Sequence, residues 1–282
     1  MIVCSTVTKS AIRSHYDLAT PFYRLLWGRH IHHGLWDGEM SPVDAQERLI
    51  ATMMDRAGIQ AGNSVLDVGC GMGGSSIHLA RAGGCTVTGV TISRLQRTWA
   101  GVTAWRRGVA SRTRFLCQDA ERVNFPPQSF DVVWSIECTE HLFEKAEFFR
   151  RAAGWLKPGG RMAICAWLAG SDETVADRER QVYEVCEGFL CPSLGRAEDY
   201  CTWMQDAGLV RRSYDDWTER VAQTWEICLE RIQRSGVRKF ARPTGRNMVR
   251  FLDRFGTILE AYRSGAMRYG CFVFEKPEAR ST

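Results

Sequence analysis

The stretch Ser135-Ile136-Glu137-Cys138-Thr139-Glu140-His141-Leu142 sets an imidazole beside two carboxylates. An imidazole gains and loses a proton near neutral pH, so His141 is a candidate acid or base. Glu140 or Glu137 could orient it or stabilise a developing cation. The structural alternative is that Glu140 and His141 cap the next helix and shape a pocket floor. A second cluster, Val65-Leu66-Asp67-Val68-Gly69-Cys70-Gly71-Met72-Gly73-Gly74, carries an apolar run into a glycine-rich turn. Glycines let bare backbone approach a ligand, and the N–H groups of a following helix attract an anionic group. Asp67 selects among ligands. A carboxylate at that place repels a pyrophosphate and suits the ammonium of a zwitterionic amino acid.

These clusters need a frame, and the hydrophobic pattern supplies one. Strands are expected at 65–68, 85–90, 113–117, 130–135 and 161–167. Helices are expected at 75–82, 93–107 and 142–156, the last closed by a turn at Lys157-Pro158-Gly159-Gly160. Strands alternating with helices predict parallel βαβ units with ligands at the strands' carboxyl ends. The first 60 residues read as amphipathic helices. Residues 171–207 read as helical with a break at Cys191-Pro192-Ser193. Strands at 209–217 and 269–274 complete the pattern, and a helix runs through Val221, Trp225, Cys228, Leu229 and Ile232. Residues 218–267 are too long for a connector and are read as a cap over the sheet's working edge. The expected division is a helical lid over 1–60, an α/β core over 61–170 and a cap with closing strands over 171–282.

Composition narrows the class further. Apolar residues make up 45%, which excludes a disordered chain. A net charge of +5 is too small to argue for nucleic acid by itself. The basic cluster Arg238, Lys239, Arg242 and Arg246, with Arg250 and Arg254 nearby, has no interleaved stacking aromatics. It reads as a solvated helix face, or as a seat for an anionic group of a small substrate. The 11 cysteines include no CxxC pair, so no zinc finger is expected and the thiols suit a reducing compartment. No signal peptide or membrane span is read, and the expected location is the cytoplasm. His30, His32 and His33 lack the spacing of a metal site, and no metal is expected.

Together the motifs resemble the class I S-adenosylmethionine-dependent methyltransferases over residues 64–168. The glycine turn matches that family's first motif, Phe130-Asp131-Val132-Val133-Trp134 its fourth-strand motif, and Leu156-Lys157-Pro158-Gly159-Gly160 the turn before its fifth strand. The resemblance implies a doubly wound, mainly parallel seven-stranded sheet and S-adenosyl-L-methionine as cofactor, leaving as S-adenosyl-L-homocysteine. It implies that Asp67, Gly69, Gly71 and Gly73 line the methionine end, and that Asp119 with Ala120 meets the adenine. Thr91-Ile92-Ser93 and Gln96 stand where many members carry an acidic ribose ligand, and neutral groups hold a diol more weakly. Ser135 joins the cofactor set at the end of the fourth strand.

The N-terminal stretches His15-Tyr16-Asp17 and His30-Ile31-His32-His33-Gly34-Leu35-Trp36 resemble the tocopherol and sterol C-methyltransferase branch. There the N-terminal helices form a lid, which implies that Tyr16 and His33 face the cofactor. Trp27, Trp36, Trp203, Trp217 and Trp225 in lid and cap favour a hydrophobic or aromatic small-molecule acceptor, such as an isoprenoid or phenol. Methyl transfer is an in-line displacement, so positioning dominates. Carbon methylation is favoured slightly over oxygen or nitrogen. The alternatives are a lipid-modifying enzyme like the cyclopropane fatty acid synthases, whose motifs His15-Tyr16-Asp17 and residues 135–141 also resemble, an RNA-directed methyltransferase, and a noncatalytic cofactor-binding protein. A homo-oligomer is compatible with all of them.

Overall fold

The computed structural model describes residues 1–235 and 246–278. Among the described residues nine strands form, in chain order β1 (Ile2–Val3), β2 (Ser64–Val68), β3 (Thr86–Thr91), β4 (Thr113–Cys117), β5 (Phe130–Ile136), β6 (Leu156–Ala169), β7 (Ser193–Leu194), β8 (Val210–Asp216) and β9 (Met267–Glu275). Seven make one sheet in the order β4-β3-β2-β5-β6-β9-β8. The pairs β3/β4, β2/β3, β2/β5 and β5/β6 are parallel, and β9 runs antiparallel to both β6 and β8. This is the expected doubly wound sheet. Strand order reverses at β2 and β5, so a crevice opens at their carboxyl ends, where Gly69 and Glu137 follow the last strand residues.

Helices flank the sheet: α1 (Lys9–Leu26), α2 (Pro42–Ala57), α3 (Gly74–Arg81), α4 (Arg94–Arg106), α5 (Lys145–Trp155), α6 (Arg178–Phe189), α7 (Ala197–Asp206), α8 (Thr218–Val221), α9 (Gln223–Ser235), α10 (Arg246–Asp253) and α11 (Phe255–Ser264). Local chemistry sets their ends. Thr8 accepts from Ala11 N to start α1, and Ser41 accepts from Asp44 N ahead of Pro42 to start α2. Gly58 in the left-handed region stops α2.

Three departures from the expected pattern have physical reasons. Lys157–Gly160 is a bulge within β6 rather than a free turn. Phe130 pairs with Leu156 and Val132 with Arg161, so the intervening residues loop out. Gly159 N donates to Lys276 O (2.9 Å) and Lys276 N to Gly160 O (2.8 Å), which keeps the bulge in the sheet. The helix expected from residue 142 starts at Lys145, because Thr139–His141 forms a 3₁₀ turn and Leu142 is extended. The break at residues 191–193 leads into β7, which pairs with β1 and ties the N-terminus to the α6–α7 link.

One buried cluster joins α1 (Ile12, Tyr23), α2 (Leu49, Met53), the sheet (Trp134, Tyr269) and the cap (Trp225, Phe251, Phe255). The N-terminal and C-terminal helices thus share a core with the sheet. The opposite face buries Phe148, Phe149 and Trp155 of α5 against Tyr200 and Met204 of α7. Trp203 belongs there, stacked on Phe149 at 6.1 Å, and so lies on the sheet face opposite Trp225.

Candidate active site

Two adjoining cavities lie at the carboxyl ends of β2 and β5. The first, a crevice, is walled by Gly69, Gly71, Thr91, Ile92, Gln96, Asp119, Ala120, Glu137 and His141. The second, an aromatic chamber, is walled by Tyr23, Trp27, Trp167, Phe189 and Trp225 with His33 and Glu140. Tyr16, Ile31, Glu137 and His141 face both.

The glycine loop shapes the crevice by close approach. Gly69 has φ 78°, and a Cβ there would sit 2.2 Å from the Cβ of Cys138. Only glycine lets the loops after β2 and β5 cross so tightly. Gly73 serves packing instead, since its Cβ would meet that of Ala100 at 2.8 Å. Asp67 is also off the crevice wall. Its carboxylate accepts from the Ser76 hydroxyl at 2.5 Å, and burial lifts its pKa to about 6 against that bond. It therefore braces the loop against α3. Ser135 likewise turns inward, its hydroxyl donating to Val68 O at 3.0 Å.

The crevice carries polar groups suited to a nucleoside. The Thr91 hydroxyl donates to Gln96 Oε1 at 2.9 Å, while the buried Gln96 Nε2 has no partner. A buried amide donor without a partner costs free energy, and a ligand hydroxyl would satisfy it. Asp119 accepts from Glu121 N (3.0 Å) and from Lys9 Nζ (3.3 Å). Helix α1 is locked over this wall by Asp17, which accepts from the Ser93 hydroxyl at 2.6 Å.

At the junction, His141 Nδ1 donates to Leu190 O (3.0 Å), so Nε2 is the acceptor and accepts from the Tyr16 hydroxyl at 2.7 Å. The carbonyl fixes this tautomer, because it can only accept. Burial lowers the His141 pKa to about 4, with the Leu190 bond opposing. The ring is therefore neutral near pH 7 with its lone pair aimed at Tyr16.

The two glutamates differ in charge for reasons of environment. Glu137 has a left-handed φ of 53°, a conformation that glutamate adopts only under constraint. Its carboxylate accepts from His33 N (2.8 Å), the Tyr269 hydroxyl (2.8 Å) and Trp167 Nε1 (3.0 Å). Burial pushes its pKa up, but the electrostatic pull of the neighbouring His33 and the hydrogen bonds it makes outweigh burial and hold it at about 2. Glu140 accepts from Trp167 N through Oε1, and its buried Oε2 has no partner. Burial raises its pKa to about 8 against that bond, so Glu140 is protonated near neutrality. Below it, buried Lys145 donates to Leu142 O (2.6 Å) and the Ser193 hydroxyl (2.8 Å), holding the turn that carries Glu140 and His141.

Of the residues expected to hold a cofactor, the structure brings Tyr16, Gly69, Gly71, Thr91, Ile92, Gln96, Asp119 and Ala120 onto the crevice. It puts His33 in the aromatic chamber instead. Trp167, Phe189, Tyr269 and Lys145 were not legible as site residues, because each comes from an element whose pattern signals only burial. In the basic cluster, Arg238, Lys239 and Arg242 lie outside the described residues. Arg254 bridges Glu184 at 2.9 Å. All eleven cysteines are free. No helix among the described residues is long and apolar enough to cross a membrane.

The fold and crevice define a class I S-adenosylmethionine-dependent methyltransferase. The chain belongs to the family described as mycolic acid cyclopropane synthetase, whose model matches residues 5–262. It is 34% identical over 232 residues to 27-O-demethylrifamycin SV methyltransferase of Amycolatopsis mediterranei (strain S699), covering 80% of this chain and 83% of that one. It is 28% identical to tocopherol O-methyltransferase, chloroplastic, of Arabidopsis thaliana, covering 95% and 82%. Among solved structures, the [4+2]-cyclase SpnF superposes with a TM-score of 0.85 at 25% identity, covering 97% of each chain.

Proposed function

We propose that this methyltransferase methylates a hydroxyl oxygen of a small, largely apolar or aromatic acceptor, an isoprenoid, phenol or related natural product. The observation that carries this reading is the Tyr16–His141 pair at the junction of a polar crevice and an aromatic chamber. Bound S-adenosylmethionine supplies a methyl group activated on a sulfonium. Gly69 and Gly71 would hold its methionine end, Thr91, Ile92 and Gln96 its ribose, and Asp119 with Ala120 its adenine. The unpartnered Gln96 Nε2 fits a ribose hydroxyl.

The chain's own groups then manage the acceptor. Aromatic walls at Trp27, Trp167, Phe189 and Trp225 favour the apolar end of an acceptor. The acceptor hydroxyl gives its proton to His141 Nε2, directly or through the Tyr16 hydroxyl. The ring starts neutral, so it is ready to receive one. Ionised Glu137 and the Leu190 carbonyl stabilise the imidazolium that forms. The sequence reading leans slightly to carbon. Oxygen is preferred here because a base behind a phenol suits loss of a hydroxyl proton, and because both relatives named above carry O-methylation in their names. Carbon methylation or cyclopropane formation on an alkene is the second reading, favoured by the family model.

The test is mass spectrometry of acceptors incubated with enzyme and deuteriomethyl S-adenosylmethionine. Label on the oxygen of a phenol or isoprenoid alcohol is expected. Label on alkene carbon selects the second reading. Label confined to RNA or small acids, or conversion of a polyene without label, overturns both.

A further inference from the structure

Three residues of the aromatic chamber carry buried polar atoms that no protein group satisfies: His33 Nε2, Trp225 Nε1 and Glu140 Oε2. Each such atom costs free energy unless something pairs with it. His33 is the most constrained. It is 1% exposed, and its ring packs edgewise on Trp225 (5.0 Å) and Trp167 (5.8 Å) and tilted on Tyr269 (5.0 Å). The ring is held from behind. Nδ1 stands 2.9 Å from Glu137 Oε1, off hydrogen-bond alignment, and the backbone N donates to the same oxygen. In the neutral ring that carboxylate favours the proton on Nδ1, and Nε2 is then the acceptor. Trp225 Nε1–H is a donor only.

The chamber's volume is about 30 Å³, room for one functional group rather than a whole molecule. A group that can donate to His33 Nε2 and accept from an indole N–H within that space is a hydroxyl. We propose that His33, held by Glu137, is a specificity-determining residue that recognises a hydroxyl on the acceptor's apolar body. This hydroxyl is distinct from the one that Tyr16 and His141 deprotonate, so the acceptor class narrows to dihydroxy or polyhydroxy apolar compounds. The inference rests on the proposed function, since it assigns the chamber to the acceptor. A site built to pair with a hydroxyl rejects an analogue lacking it more strongly than an apolar pocket rejects an extra group.

The experiment uses the full chain loaded with S-adenosylhomocysteine and compares hydroquinone with 4-methylphenol, which replaces one hydroxyl by a methyl of similar size. Calorimetry should show hydroquinone binding at least tenfold tighter. In His33→Phe that preference should fall to less than twofold, and in His33→Asn, which keeps an acceptor atom, it should partly return. In protein labelled with ¹⁵N histidine, the His33 Nε2 resonance should shift with hydroquinone and stay in place with 4-methylphenol. A preference that survives His33→Phe, equal binding of both compounds to the wild type, or a shift with both compounds overturns the inference. If both compounds bind equally well while methyl transfer to phenols proceeds, the inference alone fails. If no phenol binds although S-adenosylhomocysteine does, the acceptor reading beneath it fails as well.

Discussion

Tyr16 and His141 lie 125 positions apart in the chain, yet the tyrosine hydroxyl meets the imidazole Nε2 at 2.7 Å. Helix α1 brings one and the turn after β5 the other. With the opposite ring nitrogen fixed on Leu190 O, the hydrogen bond of the pair has one direction, from the phenol O–H to the imidazole.

His141→Ala should leave cofactor affinity within about twofold, because the crevice has many other walls. Turnover should fall roughly 10²–10⁴-fold, the usual span for a lost general base. Since burial holds His141 near pKa 4, the base form persists well below the ordinary histidine range. The wild-type acid limb of kcat/KM should therefore bend near pH 4 rather than 6.5. A limb at 6.5 assigns the base to another group.

Glu140 titrates in the opposite sense. Its folded-state pKa of about 8 exceeds the ordinary 4.5, so the unfolded chain releases this proton first. Folding stability from this group is complete below pH 4.5, declines as pH rises, and is spent above 8. In Glu140→Gln that decline disappears. The variant's melting temperature relative to wild type should climb between pH 5 and 8 and then level off, which thermal scans at fixed ionic strength will show.

Lys145→Met removes the ammonium beneath the Thr139–His141 turn. Leu142 O and the Ser193 hydroxyl lose their partner, at a cost of about 1–3 kcal/mol in urea unfolding. The turn that loosens carries His141, so kcat should fall more than cofactor affinity. Unchanged kcat would confine Lys145 to stability.

Gly69→Ala asks for a Cβ where the Cys138 side chain already stands and for a left-handed backbone. The loop must move to accept it. Calorimetry with S-adenosylhomocysteine should show at least a tenfold loss. Gly73→Ala, which presses on Ala100 instead, should cost mainly thermal stability.

The fold was legible because its signals are local. Short apolar runs at residues 65–68 and 130–135, alternating with helical stretches, point to strands covered on both faces, and glycines at 69 and 71 point to a turn with exposed backbone. Helix α5 was placed three residues early because the 3₁₀ turn at Thr139–His141 has the same composition as a helix start. The crevice half of the site was readable for the same local reason. Asp67 shows the limit: its type and position were plain, but Ser76, nine positions on, takes its carboxylate.

The sequence by itself determined the class of protein, since hydrophobic period, glycine placement and strand-end residues are properties of short segments. The tertiary structure alone decided which groups face one another and what charge they carry. A pKa depends on the burial and neighbours that folding creates, so two glutamates three positions apart become an anion at Glu137 and a neutral acid at Glu140. His33 took its place in the aromatic chamber for the same reason: Glu137, Trp167, Trp225 and Tyr269 come from four separate elements of the chain and converge only when the sheet and the helices over it pack together.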